Sequence, residues 1–259
     1  SKALIGWAGD HLAPAIGFTD HNNLFGALEI SEGLAGIGVQ PIVGCAFDVL
    51  PPGHDAETYR LAIYAQDVTG YERLMALSSF AYLESANGVP VLNEAHVFEN
   101  TDGLIALSGG AWGAAGKAAC RGKADQVKAS LQRLSDAYPG RCYVEIQRHD
   151  EPEEIESEPY LVDAAYELDL PLIATQDARF LKRSDHAAHD ALMCIRNGNY
   201  VGQTERYRIT AEHYLKTEAE MVTLFDDLPE AIENTVEMAQ RCAVRPRLRA
   251  PILPAFDGG

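Results

Sequence analysis

The chain has few of the residues on which several classes of binding protein depend. Its five cysteines lie far apart and include no CxxC pair, which argues against a zinc knuckle or a disulfide framework. Basic residues are scarce, since 21 lysines and arginines stand against 38 aspartates and glutamates, for a net charge of −17. Binding to a phosphate backbone needs clustered basic residues, so we do not expect this chain to bind nucleic acid directly.

Long apolar runs and several common motifs are also missing. No run approaches the roughly 20 residues that a membrane span needs. No basic-then-apolar leader begins the chain, so we expect a cytoplasmic protein without membrane contact. The patterns GxGxxG, GxxxxGK[ST] and GxSxG do not occur after a predicted strand. The sequence therefore does not indicate a dinucleotide-binding site, a P-loop or a serine hydrolase.

Short apolar runs alternate with amphipathic stretches through the first two thirds of the sequence. The runs predict six strands, at 15–19, 40–43 (running into 44–49), 59–65, 104–108, 142–147 and 171–175. Helices are predicted at about 24–34, 71–82 and 124–138 and in a stretch ending near 168, with an acidic loop at 150–158. This alternation is typical of an α/β protein with a parallel sheet and helices outside it. Beyond residue 184 the pattern becomes helical.

Polar side chains stand where several of these strands end. The carboxyl ends of parallel strands meet at one rim of an α/β fold, and ligands bind there. Histidine and carboxylate side chains suit divalent metals. The residues concerned are Asp20 and His21 after the first strand, the Cys45–Ala46 region of the second, Glu145 and His149 near the fifth, and Asp177 after the sixth.

Each of these positions also has an ordinary structural explanation. Asp20 or Asn22 would cap the following helix by accepting backbone N–H groups. Carboxylates at the later strand ends would pair with the nearby Arg148 or Arg179. From the residues alone, a metal ligand and a cap or ion pair both stay open.

Six longer stretches carry a resemblance to a known family. They are TDHNNLFGA at 19–27, PIVGC at 41–45, GLIALSG at 103–109, ATQD at 174–177, AHDALMCI at 188–195 and DLPEAIENT at 227–235. Together they resemble the polymerase-and-histidinol-phosphatase (PHP) domain. More narrowly, they are similar to its version at the N-terminus of bacterial DNA polymerase III alpha subunits.

The resemblance implies a fold and a division of the chain. The fold is a distorted seven-stranded β/α barrel, similar to a TIM barrel, whose first strand with its His-x-His pair would lie upstream of Ser1. Residues 1–205 would form this barrel and 206–243 a helical extension packed on it. Residues 244–259, rich in proline and glycine, would be a linker toward a polymerase palm domain.

The resemblance also assigns positions around the metal cluster of active members. His21, Glu145, His149 and Asp177 match ligand positions, with Asp20 behind His21. Three positions depart from the pattern: Ala46 replaces a glutamate, and Arg60 and Arg179 replace histidines.

These departures predict the loss of the metal cluster. Alanine has no donor atom, and a permanently protonated arginine has no lone pair to give. We therefore expect the remnant site to be empty, with Arg60 and Arg179 pairing with Glu145 and Asp177 where metal ions would otherwise lie.

The function implied is that of one module in a larger enzyme. The parent chain would be a DNA-directed DNA polymerase that uses Mg²⁺. This domain would be catalytically inactive, need no cofactor, stabilise the polymerase core and dock partners, with the proofreading exonuclease subunit as a candidate. Two alternatives stay open. One is an active zinc- or manganese-dependent phosphoesterase, either a 3′–5′ exonuclease or a pyrophosphatase. The other is a free-standing enzyme similar to histidinol phosphatase.

Overall fold

A computed structural model of the protein describes residues 1–53, 57–85, 88–248 and 250. Over these residues the fold is mixed α/β, with seven strands in one curled sheet and ten α-helices. The strands are β1 (Ala15–His21), β2 (Gln40–Leu50), β3 (Tyr59–Ala65), β4 (Leu92–Asn93), β5 (Leu104–Leu107), β6 (Cys142–Ile146) and β7 (Leu172–Ala174). The helices are α1 (Lys2–Asp10), α2 (Ala27–Gly36), α3 (Val68–Leu83), α4 (Glu94–Phe98), α5 (Ala114–Ala119), α6 (Ala124–Ala137), α7 (Pro152–Glu167), α8 (His186–Asn197), α9 (Glu218–Leu224) and α10 (Pro229–Arg241).

The sheet runs in the order β1-β2-β3-β5-β6-β7, and the two-residue β4 pairs with β2. The β1–β2, β5–β6 and β6–β7 pairs are parallel, whereas β3 is antiparallel to both β2 and β5. The prediction of an all-parallel sheet is therefore wrong at β3. Only residues 51–58 connect β2 to β3, and a parallel crossover needs about a dozen residues or more. As a result, β3 brings its first residues to the rim where its neighbours end.

Several predicted boundaries also change. The helix predicted at 71–82 begins earlier, at Val68, because the Asp67 side chain caps it by accepting the Gly70 N–H at 2.9 Å. The predicted acidic loop at 150–158 is mostly helix, since α7 begins at Pro152. Proline at the first position and acidic residues in the first turn both favour a helix start. Strand β4 and helices α4 and α5 were not predicted.

Both faces of the sheet are buried. On β3, Leu61 and Ile63 face one side and pack in a cluster with the apolar face of α3. Ala62, between them, faces the concave side and joins a second cluster with Ile105 and Met238. The period-two alternation of a strand thus places apolar side chains on both sides. Because Met238 lies near the end of α10, this helix end packs on the concave side of the sheet.

Helix α10 lies against the edge strand β7 and reaches the start of β2. The Asn234 side chain donates to the Leu172 carbonyl at 2.7 Å. The Gln40 side-chain amide donates to the carbonyl groups of Ala239 and Cys242 at 2.7 and 2.6 Å. Val244, at the beginning of the predicted linker, is also buried, whereas residues 249 and 251–259 of that prediction lie outside the described residues. Among the helices of the described ranges, none combines the length and apolar character needed to cross a membrane.

Candidate functional site

The rim residues form two groups, one at each side of Arg60. We call His21, Asn22 and Asp48 the open half of the rim. We call Glu145, His149 and Asp177 the covered half, because residues 206–216, named here the cover segment, pack over it. Arg60 lies between the halves, since it pairs in register with Asp48 across β2 and β3 and its Nη1 lies 3.7 Å from Asp177 Oδ2.

In the open half, His21 makes one ion pair. Its Nε2 lies 2.8 Å from Asp48 Oδ2, and its side chain is 50% exposed. Burial opposes ionisation of Asp48, but hydrogen bonds and charge from His21 outweigh it and hold the Asp48 pKa below its ordinary value. Asp48 was missed by the sequence reasoning. The available signal was its position two residues beyond Ala46, on the same face of β2.

In the open half, Asn22 links strands β1 and β2 by hydrogen bonds. It is buried and has a left-handed backbone conformation with φ of 59°. Its side-chain oxygen accepts the Asp48 N–H at 2.8 Å, and its amide nitrogen donates to Asp48 Oδ2 at 3.2 Å and to the Pro90 carbonyl at 3.1 Å. Asn22 therefore ties the end of β1 to β2 rather than capping α2.

Asp20 and Ala46 both offer little to a ligand. Asp20 Oδ2 accepts the Gly26 N–H at 2.7 Å, just before α2, so this carboxylate caps the turn that leads into the helix. Ala46 lies directly opposite His21 in the β1–β2 register, and its methyl side chain has no donor atom.

Two arginines converge on Asp177 from different elements. Arg179 Nη2 lies 2.5 Å from Asp177 Oδ2, and Arg60 approaches the same oxygen. Arg60 Nε is buried and has no hydrogen-bond partner among the described residues. The carboxylate of Asp177 is thus held by two permanent cations.

Glu145 is held differently. It is buried, and its Oε1 accepts the Thr175 hydroxyl at 2.5 Å and the Gln147 amide at 3.4 Å. Burial is the main reason why the Glu145 pKa is raised. Within the described ranges, neither Arg60 nor Arg179 comes within 4 Å of its carboxylate. The predicted arginine pair is therefore present at Asp177 and wrong for Glu145.

Both ring nitrogens of His149 have partners. The Asp177 backbone N–H donates to His149 Nε2 at 3.2 Å, which leaves the proton on Nδ1 to be donated to Glu154 Oε1 at 2.7 Å. Burial opposes ionisation of Glu154, but the His149 hydrogen bonds prevail and its pKa is lowered. His149 is also stacked on His213, with ring centroids 4.1 Å apart.

The cover segment makes hydrogen bonds to the residues of the covered half and their neighbours. The Thr210 hydroxyl donates to the His149 carbonyl. The His213 carbonyl accepts the Arg179 N–H at 2.8 Å, and the Lys216 N–H donates to the Gln176 side chain at 2.8 Å. Burial and the neighbouring His149 lower the pKa of His213. Sequence reasoning missed Glu154 and His213, because only the folded chain brings them to His149.

The residues present do not fit a metal cluster. In the part of the chain that the structure describes, no three histidine, cysteine, aspartate or glutamate side chains converge as a metal site would require. The lone pair of His149 Nε2 is engaged by a backbone N–H, Ala46 lacks a donor, and two guanidinium groups flank Asp177. In the covered half, the arrangement neutralises Asp177 and buries Glu145 and His149.

A family model describes the first part of the chain. Residues 2–149 match the PHP domain. The chain belongs to the PHP domain family.

This PHP domain is also similar to named proteins along nearly all its length. It is 46% identical to DNA polymerase III subunit alpha of Caulobacter vibrioides over 252 residues, covering 95% of this chain and 22% of that protein. It is 36% identical to the corresponding subunits of Pseudomonas aeruginosa and Escherichia coli K12, covering 94% and 95% of this chain and 21% of each of those proteins. The chain thus spans about a fifth of the length of these relatives. The resemblance read from the sequence is confirmed.

Proposed function

We propose that this PHP domain is the N-terminal module of a replicative DNA polymerase III alpha subunit and has no phosphoesterase activity of its own. Its role is to stabilise the polymerase core and to dock partners, the proofreading exonuclease subunit among them. DNA synthesis with Mg²⁺ takes place elsewhere on the polypeptide, in the cytoplasm. The similarity to alpha subunits along 95% of the chain supports the first part of this proposal.

The arrangement at Asp177 carries the second part. An active metal-dependent phosphoesterase needs carboxylate and imidazole lone pairs that point into one site. Here Arg60 and Arg179 occupy the carboxylate of Asp177 and would repel a divalent cation. His21 keeps an exposed imidazole, but its Nε2 is already bound to Asp48.

The charge of the domain supports the same division of labour. With a net charge of −17, the domain repels DNA over most of its surface, so other parts of the polypeptide would hold the template. In this proposal, residues 1–205 are the barrel, 206–243 the helical extension and 244–259 the linker toward the palm domain.

Elemental analysis of the intact natural polypeptide tests the proposed loss of the metal site. The protein is exposed to Zn²⁺ and Mn²⁺, desalted and compared with an Asp177→Asn variant, so that ions bound elsewhere cancel. We expect the two proteins to hold equal amounts of metal and neither to hydrolyse phosphoesters above background through this domain. An ion that wild type holds and the Asp177→Asn variant loses would contradict the proposal.

The triple variant Ala46→Glu, Arg60→His, Arg179→His serves as the positive control. It restores a donor at each departed position, so it is expected to bind more metal than wild type if the rim geometry is otherwise intact.

The mass of the natural polypeptide tests membership of a polymerase. A product several times larger than 28.2 kDa is expected for an alpha subunit. A product near that mass would instead favour the free-standing enzyme.

A further inference from the structure

Helix α8 presents an apolar face to the surrounding solvent. Ala188, Leu192 and Ile195 follow a spacing of four and three residues, which places them within roughly 60° around the helix axis. Leu192 is 62% and Ile195 79% exposed. The face of α8 that packs on the protein carries Asp190 and Cys194, both buried. This helix therefore has a core-facing side and a second apolar side that the described residues leave uncovered.

Two more exposed apolar residues follow the end of the helix in the chain. Gly198 ends α8 in a left-handed conformation, and the chain then turns to present Tyr200 and Val201, which are 78% and 55% exposed. We name Ala188, Leu192, Ile195, Tyr200 and Val201 the α8 face. Exposed apolar side chains that occur singly need no explanation, but a group of this size on one short segment marks an interaction site.

The charge around the α8 face differs from that of the rest of the chain. Residues 179–208 contain six of the 21 lysines and arginines but only three of the 38 aspartates and glutamates. Four of these six are in ion pairs: Arg179 with Asp177, Arg183 with Glu212, and Arg206 and Arg208 with Asp190.

The two other cations are placed at the two ends of α8. Lys182 precedes the helix and Arg196 lies in its last turn. Over the ranges that the structure describes, neither has a carboxylate within 4 Å. Helix α8 has 12 residues and is therefore about 18 Å long, and its apolar stripe from Ala188 to Ile195 covers about two turns between these charges.

We propose that the α8 face is the docking site for an acidic amphipathic segment of a protein. Apolar side chains of that segment, three or four residues apart, pack on Leu192 and Ile195. Its carboxylates meet Arg196 and Lys182. The proposal names the surface and the chemistry of one partner in the docking role proposed above, but it does not depend on the state of the rim.

Nucleic acid fits this surface less well. Binding single strands without sequence preference needs aromatic platforms together with several cations free to track the phosphates. The centre of the α8 face is aliphatic, and four of the six nearby cations are already bound to carboxylates. The net charge of −17 further opposes a polyanion.

Site-specific cross-linking in the intact natural polypeptide, inside its own cells, tests this proposal. The photoreactive residue p-benzoylphenylalanine replaces Leu192, and the adduct is identified by mass spectrometry. A matched control places the same residue at Val236 of α10, which is 57% exposed. We expect position 192 to react with a protein segment, in the same or another chain, that has more acidic than basic residues and apolar residues three or four apart.

A charge reversal at Arg196 then distinguishes specific docking from nonspecific hydrophobic binding. Arg196→Glu is expected to lower the yield of that adduct about threefold, as loss of a surface ion pair allows, whereas Arg196→Lys is expected to keep it. The proposal is overturned by a yield no greater than that of the Val236 control, by an adduct with nucleic acid or with a neutral or basic segment, or by equal yields from the two Arg196 variants. None of these outcomes would change the metal content on which the proposed inactivity depends.

Discussion

The two halves of the rim hold similar residues in different ways. In the open half, the His21 imidazole is half exposed and bound to one carboxylate. In the covered half, the His149 imidazole is buried, has partners at both nitrogens and is stacked under His213. The difference arises because the cover segment packs on the covered half, whereas nothing in the described residues packs over His21 in this way.

Under the proposed function, this difference means that residues at ligand positions do not by themselves make a metal site. The resemblance assigns ligand positions to His149 and Glu145, yet in the structure the His149 imidazole bonds to Glu154 and the Glu145 carboxylate to Thr175. A buried polar group without a partner is costly, so these internal hydrogen bonds stabilise the covered half. The exposed His21 is under no such constraint.

The largest effect is expected from breaking the anchor of the cover segment. Arg206, whose side chain is 2% exposed, donates to both oxygens of Asp190 at 2.6 and 2.5 Å. This pairing lowers the pKa of Asp190 to about 2, so its contribution is present above the unfolded pKa and lost as the pH falls toward 2. Asp190→Asn leaves the Arg206 guanidinium without its carboxylate and is expected to lower the free energy of unfolding at pH 7, measured by urea denaturation, more than any variant below.

Hydrogen exchange of the Asp190→Asn variant measures whether the covered and open halves of the rim open separately. The amides of Leu215 and Lys216, which bond to residues 176–180, are expected to exchange faster, while that of Asn22 is unchanged. Equal acceleration in both halves would mean that the halves unfold together. The double variant Asp190→Leu, Arg206→Met removes both charges and serves as the matched control, with a smaller loss expected.

The second prediction concerns Asn22, the buried residue of the open half. Asn22→Ala removes three side-chain hydrogen bonds and places a non-glycine residue without them at a positive φ. We expect a loss of about 2–3 kcal/mol in thermal or urea unfolding. Asn22→Gly relieves the backbone and is expected to lose roughly 1 kcal/mol less. Equal losses from the two variants would show that φ is not strained.

The third prediction uses pH to test the burial of Glu145. Its folded-state pKa is raised, so the stability it confers is present below the unfolded pKa and is lost as the pH rises through the folded value. Glu145→Gln removes this dependence. We expect the variant to gain stability relative to wild type as the pH rises above the ordinary pKa of a glutamate, as urea denaturation at several pH values would measure. A difference that is independent of pH would contradict the raised pKa.

The smallest effect is expected at His21. His21→Ala removes an ion pair whose histidine is half exposed, and such pairs contribute about 0.2–1 kcal/mol. Unfolding in urea at low and high salt measures the loss, which salt should reduce. A loss above about 2 kcal/mol would mean that the open half is held as tightly as the covered half.

Much of the rim was predictable from the sequence because apolar runs end there. The ends of β1, β6 and β7 placed His21, Glu145 and Asp177 at one edge, and the resemblance added Arg60. The direction of β3 was signalled by its short connection to β2, but that signal was not used.

Of the remaining contacts, some join residues distant in sequence, and one lies in a segment whose helix was not predicted. His213 lies 62 residues beyond Glu151, to which it bonds, and Glu154 lay in a stretch predicted to be a loop. No local pattern announces such partners. The resemblance located the ligand positions of the family, but only the folded chain shows that Glu145 is satisfied by Thr175 rather than by an arginine.

The contact between Gln40 and α10 has a consequence for synthesis of the chain. The Gln40 side chain bonds to the carbonyl groups of Ala239 and Cys242, about 200 residues later. At about 5–20 residues per second, a ribosome needs roughly 10–40 s to make the intervening stretch. During that time the start of β2 and the concave side of the sheet lack the helix that fills them. The nascent domain therefore passes through a long interval with exposed apolar surface, when it is most open to chaperones and proteases.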